Sequence, residues 1–155
     1  MNRIKKAAGL FGKLLCTVAI GAGAQALHAE EIHIKMLDNS GSGQLVFEPG
    51  FVTASAGDTL VFEPTQKGGH STVSMLVPAG AKAWSGTPDR ETRVKLDAEG
   101  VYLYACAAHK MMGMVGVVQV GKPVNLAEAK KVAQQESAKF VLNKDRFDKE
   151  LARIK

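Results

Sequence analysis

From Glu31 to Val120 the chain is a succession of short apolar runs separated by turn residues. "EIHIKML" puts Ile32, Ile34 and Met36 at every second position, the period of a strand with one buried face, and "DNSGSG" after it is a cluster of turn formers. "QLVFEPGFVTA" carries Pro49-Gly50 in its middle, and "SAGDTLVFEP" sets Gly57-Asp58 ahead of another run. "TRVKLDAEGVYLYAC" reads as two strands around "DAEG", and "VGVVQVG" closes the series. Short strands at this spacing predict an all-β sandwich or barrel. The stretch from Val77 to Arg90, with Pro78, Gly80, Gly86 and Pro88, reads as loop with room for one turn of helix.

After Pro123 the period changes. "NLAEAKKVAQQESAKFVLNKDRFDKELARIK" has no Gly or Pro and is rich in Ala, Lys, Glu and Gln. Leu126, Ala129 and Ala133 form one apolar stripe at helical spacing, and Phe147, Leu151 and Ile154 form another. Asn125 with Glu128 three residues on is a capping pair. Two helices are predicted, with a break at residues 142–145. Helices of this length are marginal in isolation, so they are expected to cover the sandwich and take no part in chemistry.

Residues 1–29 read as a secretory signal peptide: "MNRIKK" is basic, "LLCTVAIGAGA" is apolar, and "AQALHA" offers cleavage after Ala26 or, preferred here, Ala29. Anchoring through Cys16 as a lipoprotein is disfavoured by Leu15, where a small residue is expected. The apolar run is too short to span a bilayer, so no membrane span is expected in the mature protein. One domain remains, with the sandwich over residues 30–121 and a helical extension over 122–155. Losing the leader removes four cations and no acid, and the formal charge falls from +5 to +1. That is no footprint for nucleic acid.

Removing the leader also leaves a single thiol, Cys106. In an oxidising compartment a lone thiol is buried and inert, paired between chains, or held by a metal. "CAAHKMMGM" sets His109 and Met114 beside Cys106 on the loop joining the last two strands, and His70 in "KGGHST" opens an earlier strand. Loops and strand ends at one end of a sandwich can converge. Two imidazoles, a thiolate and a weak thioether suit copper in electron transfer. Each residue alone has an ordinary reading: a small buried Cys, gap-filling Met111, Met112 and Met114, a surface His70. Zinc accepts Cys and His but not Met, and the spare candidate, His33, reads as a cross-strand surface residue.

The spacing C-x2-H-x4-M resembles that of the type I blue copper proteins, the cupredoxins, and within them the pseudoazurins. "EIHIKML", "VFEP", the "MGM" after the second His and the two terminal helices share the likeness, which spans most of residues 30–155. The resemblance implies a cupredoxin-like Greek-key β-sandwich with two C-terminal α-helices packed on it. It implies one copper ion held by His70, Cys106, His109 and Met114. It also implies a monomeric, non-enzymatic one-electron carrier in the periplasm, serving a partner such as a copper nitrite reductase or a c-type cytochrome. The alternative with the same ligands is a periplasmic copper carrier or store; an enzyme or a purely structural domain ranks below both.

There are departures. The family usually has one Gly and then Asn around its first His, whereas here Gly68 and Gly69 precede His70 and Ser71 follows it. The loop from there to Pro78 is shorter, and Ala107-Ala108 replaces the usual Thr-Pro. If the Ala108 N–H donates to the Cys106 sulfur, it should raise the potential. His109 is the expected exit for electrons. Met111, Met112, Gly113, Pro78, Ala79 and Gly80 are expected to form an apolar patch around it, flanked by Lys110, Lys67 and Lys82.

Overall fold

A computed structural model describes residues 29–155, so the leader expected over residues 1–29 lies outside the described residues except for its last position. One sheet holds β1 (Glu31–Ser40), β2 (Gly43–Glu48), β4 (Thr59–Glu63) and β6 (Thr92–Lys95), in the order β2-β1-β4-β6. The other holds β3 (Phe51–Ala54), β5 (Val73–Leu76), β7 (Gly100–Ala105) and β8 (Val115–Val120), in the order β3-β8-β7-β5. Both are mixed: β1 runs parallel to β4 and β3 parallel to β8, and the remaining pairs are antiparallel. Pro49-Gly50 carries the chain from the first sheet to the second. This is the β-sandwich with two C-terminal helices that the sequence predicts.

Alternation decides which side chains meet. Ile34, Met36, Leu60 and Phe62 face inward from the first sheet and meet Tyr102, Tyr104, Val118 and Val120 from the second. Phe47, Phe62 and Tyr104 pack edge to face at the centre, Tyr104 with centroids 4.8 and 5.0 Å from the other two rings. The opposite phase of β7 and β8 is buried too. Val101, Leu103, Ala105, Val115 and Val117 lie under helices α1 (Leu126–Ser137) and α2 (Arg146–Leu151), touching Ala129, Ala133, Phe140, Phe147 and Leu151. Burial on both faces explains why "VYLYA" and "VGVVQV" are continuous apolar runs. Each fully buried side chain of this size contributes about 1.5–3 kcal/mol.

Three local expectations need correction. Asn125 is not part of a capping pair, for its side chain makes no cap hydrogen bond. Strand β5 stops opposite Leu103, which leaves the backbone of Val101 without a strand partner on that side. Asn125 fills the gap: its Oδ1 accepts from Val101 N–H at 2.7 Å and its Nδ2 donates to Val101 O at 2.9 Å. The break between the helices is longer than 142–145, running from Ala138 to Asp145. The loop from Val77 to Arg90 contains no helical turn, only an isolated bridge from Ser85 to Val73.

Candidate metal centre

Cys106 follows β7 in its inward phase, so its thiol enters the core and is fully buried. Its backbone N–H donates to Met114 O at 2.9 Å, closing the loop before β8 begins. Inside the loop, the N–H groups of Met112 and Met114 donate to His109 O at 2.9 and 3.2 Å. A 3-10 turn over Lys110–Met112 ends at Gly113, whose φ of 70° suits glycine. Nor does Gly113 have room for a side chain, since a β-carbon there would lie 2.8 Å from Leu142 O. Met114 is fully buried and packs in the same cluster as Cys106.

His70 arrives on the connection from β4 to β5 and is also fully buried. Its Nδ1 lies 4.0 Å from Cys106 Sγ, and His109 Nδ1 lies 3.5 Å from it. The three donor atoms fall within 4.8 Å of one another. Bonds of about 2.0–2.3 Å to N and S reach across such gaps, so one ion fits between them. The donor set, two nitrogens and one sulfur with a buried thioether alongside, is that of a copper site. The thiol is fully buried, which keeps it from the surface where a second chain would meet it.

Two carboxylates hold His70, one at its ring and one at its backbone. Asp38, on β1, has Oδ1 3.0 Å from His70 Nε2. A carboxylate only accepts, so Nε2 carries the proton and Nδ1 turns its lone pair toward the sulfur. Asp89 accepts from the backbone N–H groups of Gly69 and His70, each at 3.0 Å, and its own N–H donates to His70 O at 2.7 Å. Its φ of 54° is uncommon outside glycine, though Asp tolerates it. His109 is half-buried and its pKa is lowered, first by burial and then by the neighbouring His70, with Asp38 opposing. Both Asp38 and Asp89 escaped the sequence reading. The signals were the unusual Gly-Gly before His70 and an Asp directly after Pro88.

Among the described residues the sulfur's hydrogen-bonding neighbours are the two imidazoles; the Ala108 N–H is not one of them, so the condition for its raising the potential is not met. The exposed patch also differs from expectation. Met111 is 47 % exposed beside His109, but its apolar neighbours are Val141 and Leu142, 61 % and 46 % exposed, from the break between the helices. Pro78 packs against Gly100, at the end of β7 opposite Cys106, because β5 runs away from the site. Lys82 lines a shallow hollow with Lys95 and Asp97, away from the exit. Lys110 is near the exit but paired with Glu136 of α1 at 3.1 Å. His33 is a surface residue, as expected, held 2.6 Å from Glu63.

The helices do more than cover the sheet. Val141 N–H donates to Met111 O at 2.8 Å, and Asn143 Nδ2 to Met112 O at 2.9 Å. Arg146 Nη1 donates to Gly113 O at 2.5 Å and to Leu45 O at 2.6 Å. Consecutive carbonyls of the loop are therefore held from outside by the helical extension.

Residues 34–121 match the family described as copper binding proteins, plastocyanin/azurin family. A putative pseudoazurin of Rhizobium leguminosarum bv. viciae is 37 % identical over 93 % of this chain and 93 % of its own. The pseudoazurin of Methylorubrum extorquens is 44 % identical over 67 % of this chain and 72 % of its own. The crystal structure of pseudoazurin from Methylobacterium extorquens AM1 superposes with a TM-score of 0.73, at 40 % identity, over 81 % of this chain and 99 % of that one. The chain belongs to the plastocyanin/azurin family of copper-binding proteins and is similar to its pseudoazurins.

Proposed function

We propose that this protein is a one-electron carrier with a single type I copper ion held by His70, Cys106, His109 and Met114. The observation that carries the reading is the meeting of His70 Nδ1, His109 Nδ1 and Cys106 Sγ, from two distant segments, within 4.8 Å. When bound, copper supplies a couple that moves one electron and no atoms. The chain supplies a site that resists change. His70 is held by carboxylates at its ring and its backbone, and the loop from Cys106 to Met114 is closed by its own hydrogen bonds and gripped by the helical extension. Such a frame limits the rearrangement that accompanies transfer. His109 is the proposed ligand that reaches the surface while His70, Cys106 and Met114 are buried, so a partner makes contact there.

The protein works in the periplasm as a monomer, after removal of residues 1–29, without catalysing a reaction of its own. Its partner is a redox protein such as a copper nitrite reductase or a c-type cytochrome, docking briefly on Met111, Val141 and Leu142 around His109. Small, weak interfaces are usual for redox encounters. The test is an optical and EPR spectrum of the mature protein with one equivalent of Cu(II). An intense visible thiolate band with narrow copper hyperfine splitting is expected, and Cys106→Ser should abolish the band. A pale wild-type protein with ordinary tetragonal copper signals overturns the reading.

A further inference from the structure

The first sheet contributes one charged group to the site, and the chain makes room for it. Asp38 sits near the end of β1, where Gln66 ties that strand to the His70 loop: its Oε1 accepts from the N–H groups of Asp38 at 2.6 Å and Asn39 at 3.1 Å. The carboxylate then reaches His70 Nε2 at 3.0 Å. Gly68 lies against it. A β-carbon at position 68 would stand 2.4 Å from Asp38 Oδ1, the oxygen that accepts from His70. Gly69, with φ 77°, needs glycine for its backbone; Gly68 has no such need and is small because the carboxylate occupies the space.

We propose that Asp38 is a positioning residue that lowers the reduction potential of the copper centre, and that Gly68 exists to admit it. The inference rests on the copper reading above. A carboxylate accepting from Nε2–H pushes electron density through the ring to Nδ1 and makes it a stronger donor. Its negative charge also favours the more highly charged Cu(II) over Cu(I). Both effects act in the same direction. The Asp38 side chain is 43 % exposed, so solvent and salt weaken the second.

The experiment is redox titration of wild type, Asp38→Asn, Gly68→Ala, Asp38→Ala and Asp38→Ala/Gly68→Ala, each first shown to give the blue spectrum. Asp38→Asn keeps an acceptor for Nε2–H and loses only the charge. It should preserve the visible bands and shift the balance toward Cu(I) about tenfold, or about 59 mV for one electron. The difference from wild type should shrink as salt rises. Gly68→Ala, which leaves every ionisable group in place, should shift the potential upward, with no further effect once Asp38 is Ala. In the metal-free protein, nitrogen NMR should find His70 protonated at Nε2. An Asp38→Asn potential equal to or below that of wild type overturns the proposal, as does a His70 ring protonated at Nδ1. A wild type without the blue spectrum instead overturns the copper reading, and the NMR result then still judges the Asp38–His70 contact.

Discussion

Tyr104 shows how one residue serves packing against its own chemistry. Its hydroxyl is buried without a hydrogen-bond partner among the described residues, and burial pushes its pKa far above the usual phenol value. The ring is there because Gly116, opposite on β8, has no side chain: a β-carbon at Gly116 would lie 2.3 Å from the ring. Removing an unsatisfied buried hydroxyl stabilises, so Tyr104→Phe should add about 1 kcal/mol. Gly116→Ala should cost about 1–3 kcal/mol by overpacking. Guanidinium unfolding of the two variants checks both signs. At this scale the cluster was legible, because Cys106, His109 and Met114 are close in sequence and chemically distinctive. Asp38 and Asp89 were not. They meet His70 through tertiary contact across 32 and 19 residues respectively, and an isolated Asp carries no periodic signal.

Among elements, the telling relation is between the helical extension and the loop it grips. The inward stripes of both helices were readable from spacing, since Ala129, Ala133, Phe147 and Leu151 are buried as the period requires. The grip was hidden in the break, whose residues follow no period. Arg146, half-buried, has its pKa lowered chiefly by burial and spends its guanidinium on the carbonyls of Gln44, Leu45 and Gly113. Arg146→Gln should cost about 1.5–3 kcal/mol, the range for hydrogen bonds to a charged group, and this can be read by the same unfolding experiment. A second link is acid-sensitive. The pKa of Glu136 is lowered, first by its hydrogen bond with Lys139 and also by Lys110. A depressed carboxylate contributes stability that is present above its unfolded pKa and is lost as pH falls through the folded value. Below about pH 4.3 the wild type should therefore lose stability more steeply than Glu136→Gln, as thermal melts across that range will show.

At the scale of the whole molecule, the extension and the sandwich share one interior. Val101, Leu103, Ala105, Val115 and Val117 would face water without the helices. A chain ending after Lys122 should aggregate or fail to give a cooperative melt, as size-exclusion chromatography and circular dichroism would reveal, even though the residues matching the family, 34–121, are all retained. Charge plays a smaller part. Lys110 and Lys139 share Glu136, and the formal charge of residues 30–155 is only +1. Electron exchange with an acidic partner should consequently slow only modestly between low and physiological salt, which stopped-flow kinetics can follow.

The contact between Asp38 and Gly68 also restricts the routes by which this sequence can change. A lineage that gains a β-carbon at position 68 pushes the carboxylate aside and weakens its hold on His70. The two positions are therefore coupled: what a substitution at one of them does depends on the residue that stands at the other.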